Sequence, residues 1–195
     1  MNILDNNFLI FFIYILSLLG YYYFLGRSKF RQISIIFLAI LTLPYIINVK
    51  DISIIFNFKL LYILIGIILS PFVTYLTYII VFKQKLRMKL PKPNISMIIS
   101  STLEEFVWRH IILSQLIILT NRIMLIEFSI ILSIIISSIF FTLGHKQKTI
   151  MNYIEMFLFT LVISVGYLLF EGINIGLHIG RNFYIYTLNK EENSV

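Results

Sequence analysis

Long apolar segments, each about the length of a membrane-spanning helix, make up most of this sequence. An α-helix needs roughly 20 mostly apolar residues to cross the hydrocarbon core of a bilayer, within a range of about 17–25. The segments that approach this length are residues 8–25, 32–49, 59–82, 96–119, 123–144, 150–170 and 172–188. The sequence therefore predicts an all-α fold, a polytopic bundle with about seven transmembrane helices.

The composition argues against several other classes of protein. Hydrophobic residues make up 59% of the chain and charged residues only 13%, whereas a soluble domain has about 45–50% apolar and about 25% charged residues. These differences exclude a disordered chain and disfavour a soluble globular domain. Cysteine is absent, which excludes disulfides, cysteine-based zinc sites, iron–sulfur clusters and a thiol nucleophile.

The basic residues behind the formal net charge of +7 indicate a membrane topology. They lie between apolar segments and form no basic face, so we expect them to contact the lipid bilayer and no nucleic acid. If the N-terminus is outside, only Lys50 and Arg122 fall in outer loops. The inner loops then hold Arg27, Lys29, Arg31, Lys83, Lys85, Arg87, Lys89, Lys92, Lys146, Lys148 and Lys190. Because cytoplasmic loops are enriched in Lys and Arg, we expect a multi-pass protein of the cell membrane whose C-terminus is cytoplasmic.

Two prolines divide what we predict to be a single membrane domain. Pro91 and Pro93 disfavour helix at the residues before them, so the fourth helix should begin near Asn94 or Ile95. Residues 1–93 then form an N-terminal transmembrane region that ends in a basic cytoplasmic loop. Residues 94–190 carry most of the charged and histidine residues within apolar segments, so we expect the functional residues there.

The fourth segment contains charged residues that need a reason to be in a membrane. A charged side chain at the bilayer centre costs about 2.5–3.5 kcal/mol on insertion scales. Glu105 and Arg109 are four residues apart, so they share a helix face and can form a structural ion pair. Glu104 is rotated by about 100° from Glu105 and can point into the bundle alone. A carboxylate so far from bulk water is partly desolvated, which makes it a better base near neutral pH, so Glu104 is a candidate general base. His110, in the same segment, has no assigned role.

Two further pairs of residues have four-residue spacing. Phe141 lies one turn before His145 and can pack against its imidazole, although His145 alone is more typical of a histidine at the membrane interface. His178 and Asn182 project from one face of the last segment. They could donate hydrogen bonds to one oxygen, as an oxyanion site requires, or bond to a neighbouring helix.

The last segment has other features that need no functional explanation. Arg181 could pair with Glu155 or with Glu171, and the sequence does not choose between them. A stripe of glycines at four-residue spacing predicts close helix packing. It consists of Gly172, Gly176 and Gly180.

Taken together, the three polar stretches resemble the motifs of the CPBP intramembrane protease family, which comprises CAAX proteases and bacteriocin-processing enzymes and is also called the Abi family. The family's first motif, E-E-x-x-x-R, is similar to residues 104–109. Its second, F-x-x-x-H, matches Phe141 to His145, and its third, H-x-x-x-N, matches His178 to Asn182. The resemblance covers about residues 95–188.

The resemblance implies a helical bundle and a glutamate-dependent peptidase that hydrolyses a peptide bond in a membrane-associated protein or peptide. We expect this reaction to need no cofactor. On this analogy Glu104 and His145 activate water, while His178 and Asn182 hold the tetrahedral oxyanion. Glu105, Arg109 and Phe141 are supporting residues.

Several alternatives remain open from the sequence. Glu104, His145 and His178 could instead be the three protein ligands of a catalytic zinc ion, although metal-independent chemistry is favoured because no H-E-x-x-H motif is present. The chain could be a bacteriocin self-immunity or regulatory protein on the same fold, or a small proton-coupled transporter. In straight spans Glu104 would lie at mid-depth, His145 near the cytoplasmic face and His178 roughly 10 Å from the outer face. A common site therefore requires these depths to converge.

Overall fold

The computed structural model describes residues 60–83, 94–145 and 147–192. The predicted segments 8–25 and 32–49, most of the N-terminal region 1–93 and most of its basic loop lie outside the described residues. The helices are α1 (Leu60–Phe82), α2 (Ile95–Glu105), a π-helical segment (Phe106–Leu113), α3 (Ser114–Thr120), α4 (Ile126–Gly144), α5 (Ile150–Leu169) and α6 (Ile173–Glu192). The described part contains helices and no strand, which confirms the all-α prediction.

Three of the described helices are long and apolar enough to cross a membrane, namely α1, α4 and α5. They correspond to the predicted segments 59–82, 123–144 and 150–170. The predicted segment 96–119 is also helical, but it is built from α2, the π-helical segment and α3 in direct succession. The segment predicted at 172–188 forms α6, which is too polar to qualify as a span by composition. The full number of spans and the orientation of the termini stay predictions.

Side-chain caps fix where two of the helices begin. Asn94 has an extended backbone, and its side chain accepts a hydrogen bond from the backbone N–H of Ser96 at 3.0 Å. Thr149 caps α5 in the same way by accepting from the N–H of Asn152 at 3.2 Å. Such caps satisfy N–H groups that lack a partner in the first turn of a helix. The predicted start of the fourth segment near Asn94 or Ile95 is confirmed.

Helices α1 and α6 pack closely because glycines line their contact. A Cβ atom added to Gly176 would lie 2.0 Å from the carbonyl oxygen of Ile63, and one on Gly66 would lie 2.4 Å from that of Ile173. Ser70 adds a hydrogen bond from Oγ to the carbonyl oxygen of Leu177 at 2.9 Å. The predicted close packing is therefore present in this helix pair.

The three predicted glycines do not all contribute in the same way. Gly180 also meets α1, since an added Cβ would lie 2.4 Å from Cβ of Ser70. Gly172 instead occupies the turn before α6 with φ of 106°, a conformation that favours glycine.

The π-helical segment lies at the centre of the described bundle. All eight of its residues are buried. Val107, Trp108 and Ile112 pack with Phe141 of α4 in one apolar cluster. This packing brings the end of α2, where the paired glutamates lie, against the C-terminal end of α4.

Candidate active site

Glu104 lies between two imidazoles that come from distant parts of the chain. Its side chain is buried near the end of α2. Its Oε2 atom is 3.7 Å from Nε2 of His145 and 3.8 Å from Nε2 of His178. The structure thus brings together the predicted acid and both predicted histidines.

His145 presents a defined nitrogen to Glu104. It follows the last residue of α4, with an extended backbone. Its Nδ1 is 2.8 Å from the carbonyl oxygen of Phe141, and because a carbonyl oxygen only accepts, Nδ1 carries the hydrogen. In the neutral ring, Nε2 then has a lone pair directed toward Glu104. The phenyl ring of Phe141 packs on the imidazole with centroids 4.4 Å apart, as the spacing predicted.

His178 is oriented by the second glutamate. Its Nδ1 is 2.9 Å from Oε1 of Glu105. An ionised carboxylate is an acceptor, so Nδ1 donates to it and Nε2 faces Glu104. Hydrogen bonds of this kind commonly fix the ring orientation of a functional histidine.

Glu105 and Arg109 are both fully buried, and they form the predicted pair in a loose geometry. Nε of Arg109 is 3.6 Å from Oε2 of Glu105, which is longer than a hydrogen bond. The guanidinium also lies over the ring of Phe141, with Cζ 5.0 Å from the centroid. Arg109 therefore neutralises Glu105 mainly through its charge and not through a hydrogen bond. Phe141 contacts both this guanidinium and the imidazole of His145.

Asn182 lies on the same face of α6 as His178. It donates from Nδ2 to Oγ of Ser101 at 2.7 Å, and Ser101 itself donates to the carbonyl oxygen of Met97. Ser101 lies one turn before Glu105 on α2, so Asn182 and His178 bind successive turns of the same helix. The second N–H of the Asn182 amide is not used by these contacts.

Straight spans would place the acid and the two histidines at different depths in the membrane, but the structure brings them together. Glu104, His145 and His178 meet although they come from α2, the end of α4 and the second turn of α6. At least one of these helices therefore departs from an upright arrangement of equal spans.

A second buried polar cluster holds α1, α5 and α6 together. Arg181 forms two hydrogen bonds with the carboxylate of Glu155, one of them 2.6 Å from Nη1 to Oε1. Thr77 donates to the same oxygen at 2.7 Å, and the guanidinium lies 4.2 Å from the ring centroid of Phe159. Arg181 thus pairs with Glu155, one of its two predicted partners.

The other predicted partner, Glu171, belongs to a separate cluster. Its Oε1 is 3.5 Å from Nε2 of His110, and Nδ1 of His110 is 3.3 Å from the hydroxyl oxygen of Tyr167. Glu171 lies in the turn between α5 and α6, where burial raises the pKa of its carboxyl. His110 is therefore in contact with groups other than those around Glu104.

Two buried polar residues at the site are absent from the sequence motifs. Asn174 donates to Oε2 of Glu105 at 3.0 Å, and Ser101 accepts from Asn182. Each lies one helical turn before a motif residue, Asn174 before His178 and Ser101 before Glu105. The same four-residue spacing that pointed to the motifs would have indicated both positions.

The zinc alternative concerns Glu104 and the two histidines beside it, His145 and His178. Two imidazole Nε2 atoms and one carboxylate are donor types that zinc prefers. Among the described residues, however, no group of three or more His, Cys, Asp or Glu side chains is arranged to hold a metal ion. Metal dependence stays a question for experiment.

Comparison with known proteins gives one match. A family model described as type II CAAX prenyl endopeptidase, Rce1-like, matches residues 89–184. This range contains all three motif stretches, from Glu104 to Asn182. No curated protein and no solved structure matches the chain.

Proposed function

We propose that this chain, whose residues 89–184 belong to the Rce1-like type II CAAX prenyl endopeptidase family, is an intramembrane endopeptidase that uses a water molecule activated by glutamate and histidine. This family is the CPBP family that the motifs resemble. Membership supports the interpretation that the chain is a membrane protease. The observation that carries the mechanism is the position of the Glu104 carboxylate within 4 Å of Nε2 of both His145 and His178.

The first step is activation of water by Glu104 and His145. Their facing atoms are 3.7 Å apart, so one water oxygen placed beside them reaches both at hydrogen-bond distance. Both atoms accept hydrogen bonds, and the water has two hydrogens to donate. Its oxygen attacks the carbonyl carbon of the peptide bond, and Glu104 takes the proton that is released.

The second requirement is stabilisation of the oxyanion formed on the carbonyl oxygen. Asn182 offers the N–H that Ser101 does not use, and His178 offers Nε2 from the same helix face. To donate from Nε2 as well as Nδ1, the imidazole has to carry both protons. The carboxylates of Glu104 and Glu105, one beside each nitrogen, are suitable counter-ions for such a ring. Donors held in place before the reaction stabilise the developing charge at little reorganisation cost.

The reaction ends when the C–N bond breaks and the amine leaves. Glu104 returns its proton to the departing nitrogen, so the products are a carboxylic acid and an amine, and the enzyme regains its starting state. The site is largely enclosed, which limits competition from bulk solvent. His145 is the most open of the three converging side chains, with 17% of its surface exposed, and we expect water to enter from its side.

The proposed substrate is a peptide bond in a membrane-associated protein or peptide. The family name refers to prenylated substrates, so a peptide with a prenylated cysteine is the first one to test. Comparison with the same peptide without the lipid measures whether this chain uses the lipid for recognition.

The decisive experiment measures peptide hydrolysis by the purified protein in liposomes. Glu104→Gln should lower kcat by about 10²–10⁴-fold, because a general base contributes about that factor. Glu127→Gln is the matched control, since Glu127 is an exposed glutamate on α4 and should retain full activity. Full activity of a folded Glu104→Gln variant would contradict the proposal.

Two further measurements separate the alternatives. Loss of activity in a chelator that is restored by zinc would favour the metal mechanism over the one proposed. Ion flux into liposomes without any hydrolysis would favour the transporter.

A further inference from the structure

The last helix carries a third polar residue at the spacing of His178 and Asn182. Asn174 lies one turn before His178 and is fully buried. Its Oδ1 accepts the backbone N–H of Gly172 at 3.2 Å, and its Nδ2 donates to Oε2 of Glu105 at 3.0 Å. Because the Gly172 N–H only donates, the amide is fixed with its NH₂ group toward Glu105.

The two oxygens of Glu105 are therefore shared between two residues of α6. Oε1 accepts from Nδ1 of His178 at 2.9 Å, and Oε2 accepts from Asn174. The carboxylate is held in one rotational position, and that position directs Oε1 at the imidazole.

Arg109 competes for the same carboxylate. None of its three guanidinium nitrogens has a hydrogen-bond partner among the described residues, and Nε is only 3.6 Å from Oε2 of Glu105. A guanidinium binds a carboxylate more strongly than a neutral amide does, often through two parallel hydrogen bonds. A small rotation of Glu105 would satisfy Arg109 and leave His178 without its acceptor.

We propose that Asn174 is a positioning residue that holds the Glu105 carboxylate on His178 and away from Arg109. It thereby keeps a proton on Nδ1 of His178 and Nε2 directed at Glu104. Its effect on catalysis depends on the proposed peptidase function, whereas its effect on the imidazole does not.

The direct test locates the protons on His178 by NMR of the full chain labelled with ¹⁵N-histidine in detergent at neutral pH. The chain has three histidines, so each ring is assigned by replacing one histidine at a time. The wild-type protein should show a protonated Nδ1 on His178. Asn174→Leu, which has the same branched shape and number of side-chain heavy atoms but no donor, should lower the share of His178 rings that carry a proton on Nδ1.

A matched control separates this effect from general loosening of the bundle. Ser164→Ala removes a different fully buried polar group, on α5, and should leave the His178 signals unchanged. If Asn174→Leu does not fold, Asn174→Ser serves instead, because it is smaller and its hydroxyl does not extend as far as the amide. A folded Asn174 variant with a wild-type His178 spectrum would overturn the inference.

Hydrolysis by the same variants provides the second readout. Asn174→Leu should lower kcat by about 10- to 100-fold with little change in KM, since a displaced catalytic group costs rate more than binding. An inactive wild-type protein with the expected NMR shift would reject the proposed function and keep the inference. Unchanged kcat in an active protein would reject the inference alone.

Discussion

The two imidazoles at the site are oriented by different kinds of acceptor. A backbone carbonyl oxygen holds Nδ1 of His145, and a buried carboxylate holds Nδ1 of His178. Both rings then present Nε2 to the same oxygen of Glu104. A carboxylate oxygen within 4 Å of two imidazole nitrogens is suited to moving one proton between water and a leaving group.

The sequence predicts which residues come together more completely than it predicts the hydrogen-bond partner of each one. Four-residue spacing places His178 and Asn182 on one face, and both meet α2. The spacing does not show that Glu105 lies closer to His178 than to Arg109. That difference depends on how α2 and α6 cross. The role of Asn174 is missed for the same reason.

At the residue scale, the buried pair of Arg181 and Glu155 gives a prediction about stability. Arg181→Leu should lower the free energy of unfolding by about 3–5 kcal/mol, because it leaves the Glu155 charge buried and uncompensated. The double variant Arg181→Leu/Glu155→Leu should recover most of that loss. Unfolding of both variants in detergent measures this, and equal losses in the single and double variants would contradict it.

At the scale of elements, helix packing explains how a polar helix is held in place. Helix α6 is not apolar enough to qualify as a span, yet its glycines fit against α1 and its polar face binds α2. The sequence predicts the glycine contact from its spacing. It does not predict the π-helical segment Phe106–Leu113, because an extra residue in a turn is decided by packing around it and not by local propensity.

A pair of glycine variants tests this packing. Gly176→Ala should destabilise the protein by about 1–3 kcal/mol or more, because the new Cβ would meet backbone atoms of α1, the nearest at 2.0 Å. Gly166→Ala is the control, since its Cβ would first meet a side-chain methyl of Ile173 at 3.0 Å and no backbone atom of another helix within that distance. Thermal unfolding in detergent compares them, and equal stability would contradict the packing described for α1 and α6.

At the scale of the whole molecule, three of the predicted spans are described as helices that are long and apolar enough to cross a membrane, namely α1, α4 and α5. Their length and composition determine this without knowledge of neighbours. The convergence of Glu104, His145 and His178 could not be derived in that way, because it depends on how helices lean and cross. Segment lengths alone place the three groups at different depths.

The absence of cysteine makes the predicted topology directly testable. Single cysteines at exposed positions, Lys83→Cys, Arg122→Cys and Lys148→Cys, can be labelled with a thiol reagent that does not cross membranes. Intact cells should label position 122 from outside, and positions 83 and 148 only after the membrane is opened, since Lys and Arg favour the cytoplasmic side. Labelling of all three from one side would contradict the topology.

The ring of Phe141 lies among groups that belong to all three motif stretches. It contacts His145, stands edge-on to His178 with centroids 5.7 Å apart, and lies beneath the Arg109 guanidinium. None of these neighbours comes from α1. One ring therefore touches all three stretches, so a substitution of Phe141 is expected to disturb both imidazoles and the guanidinium together.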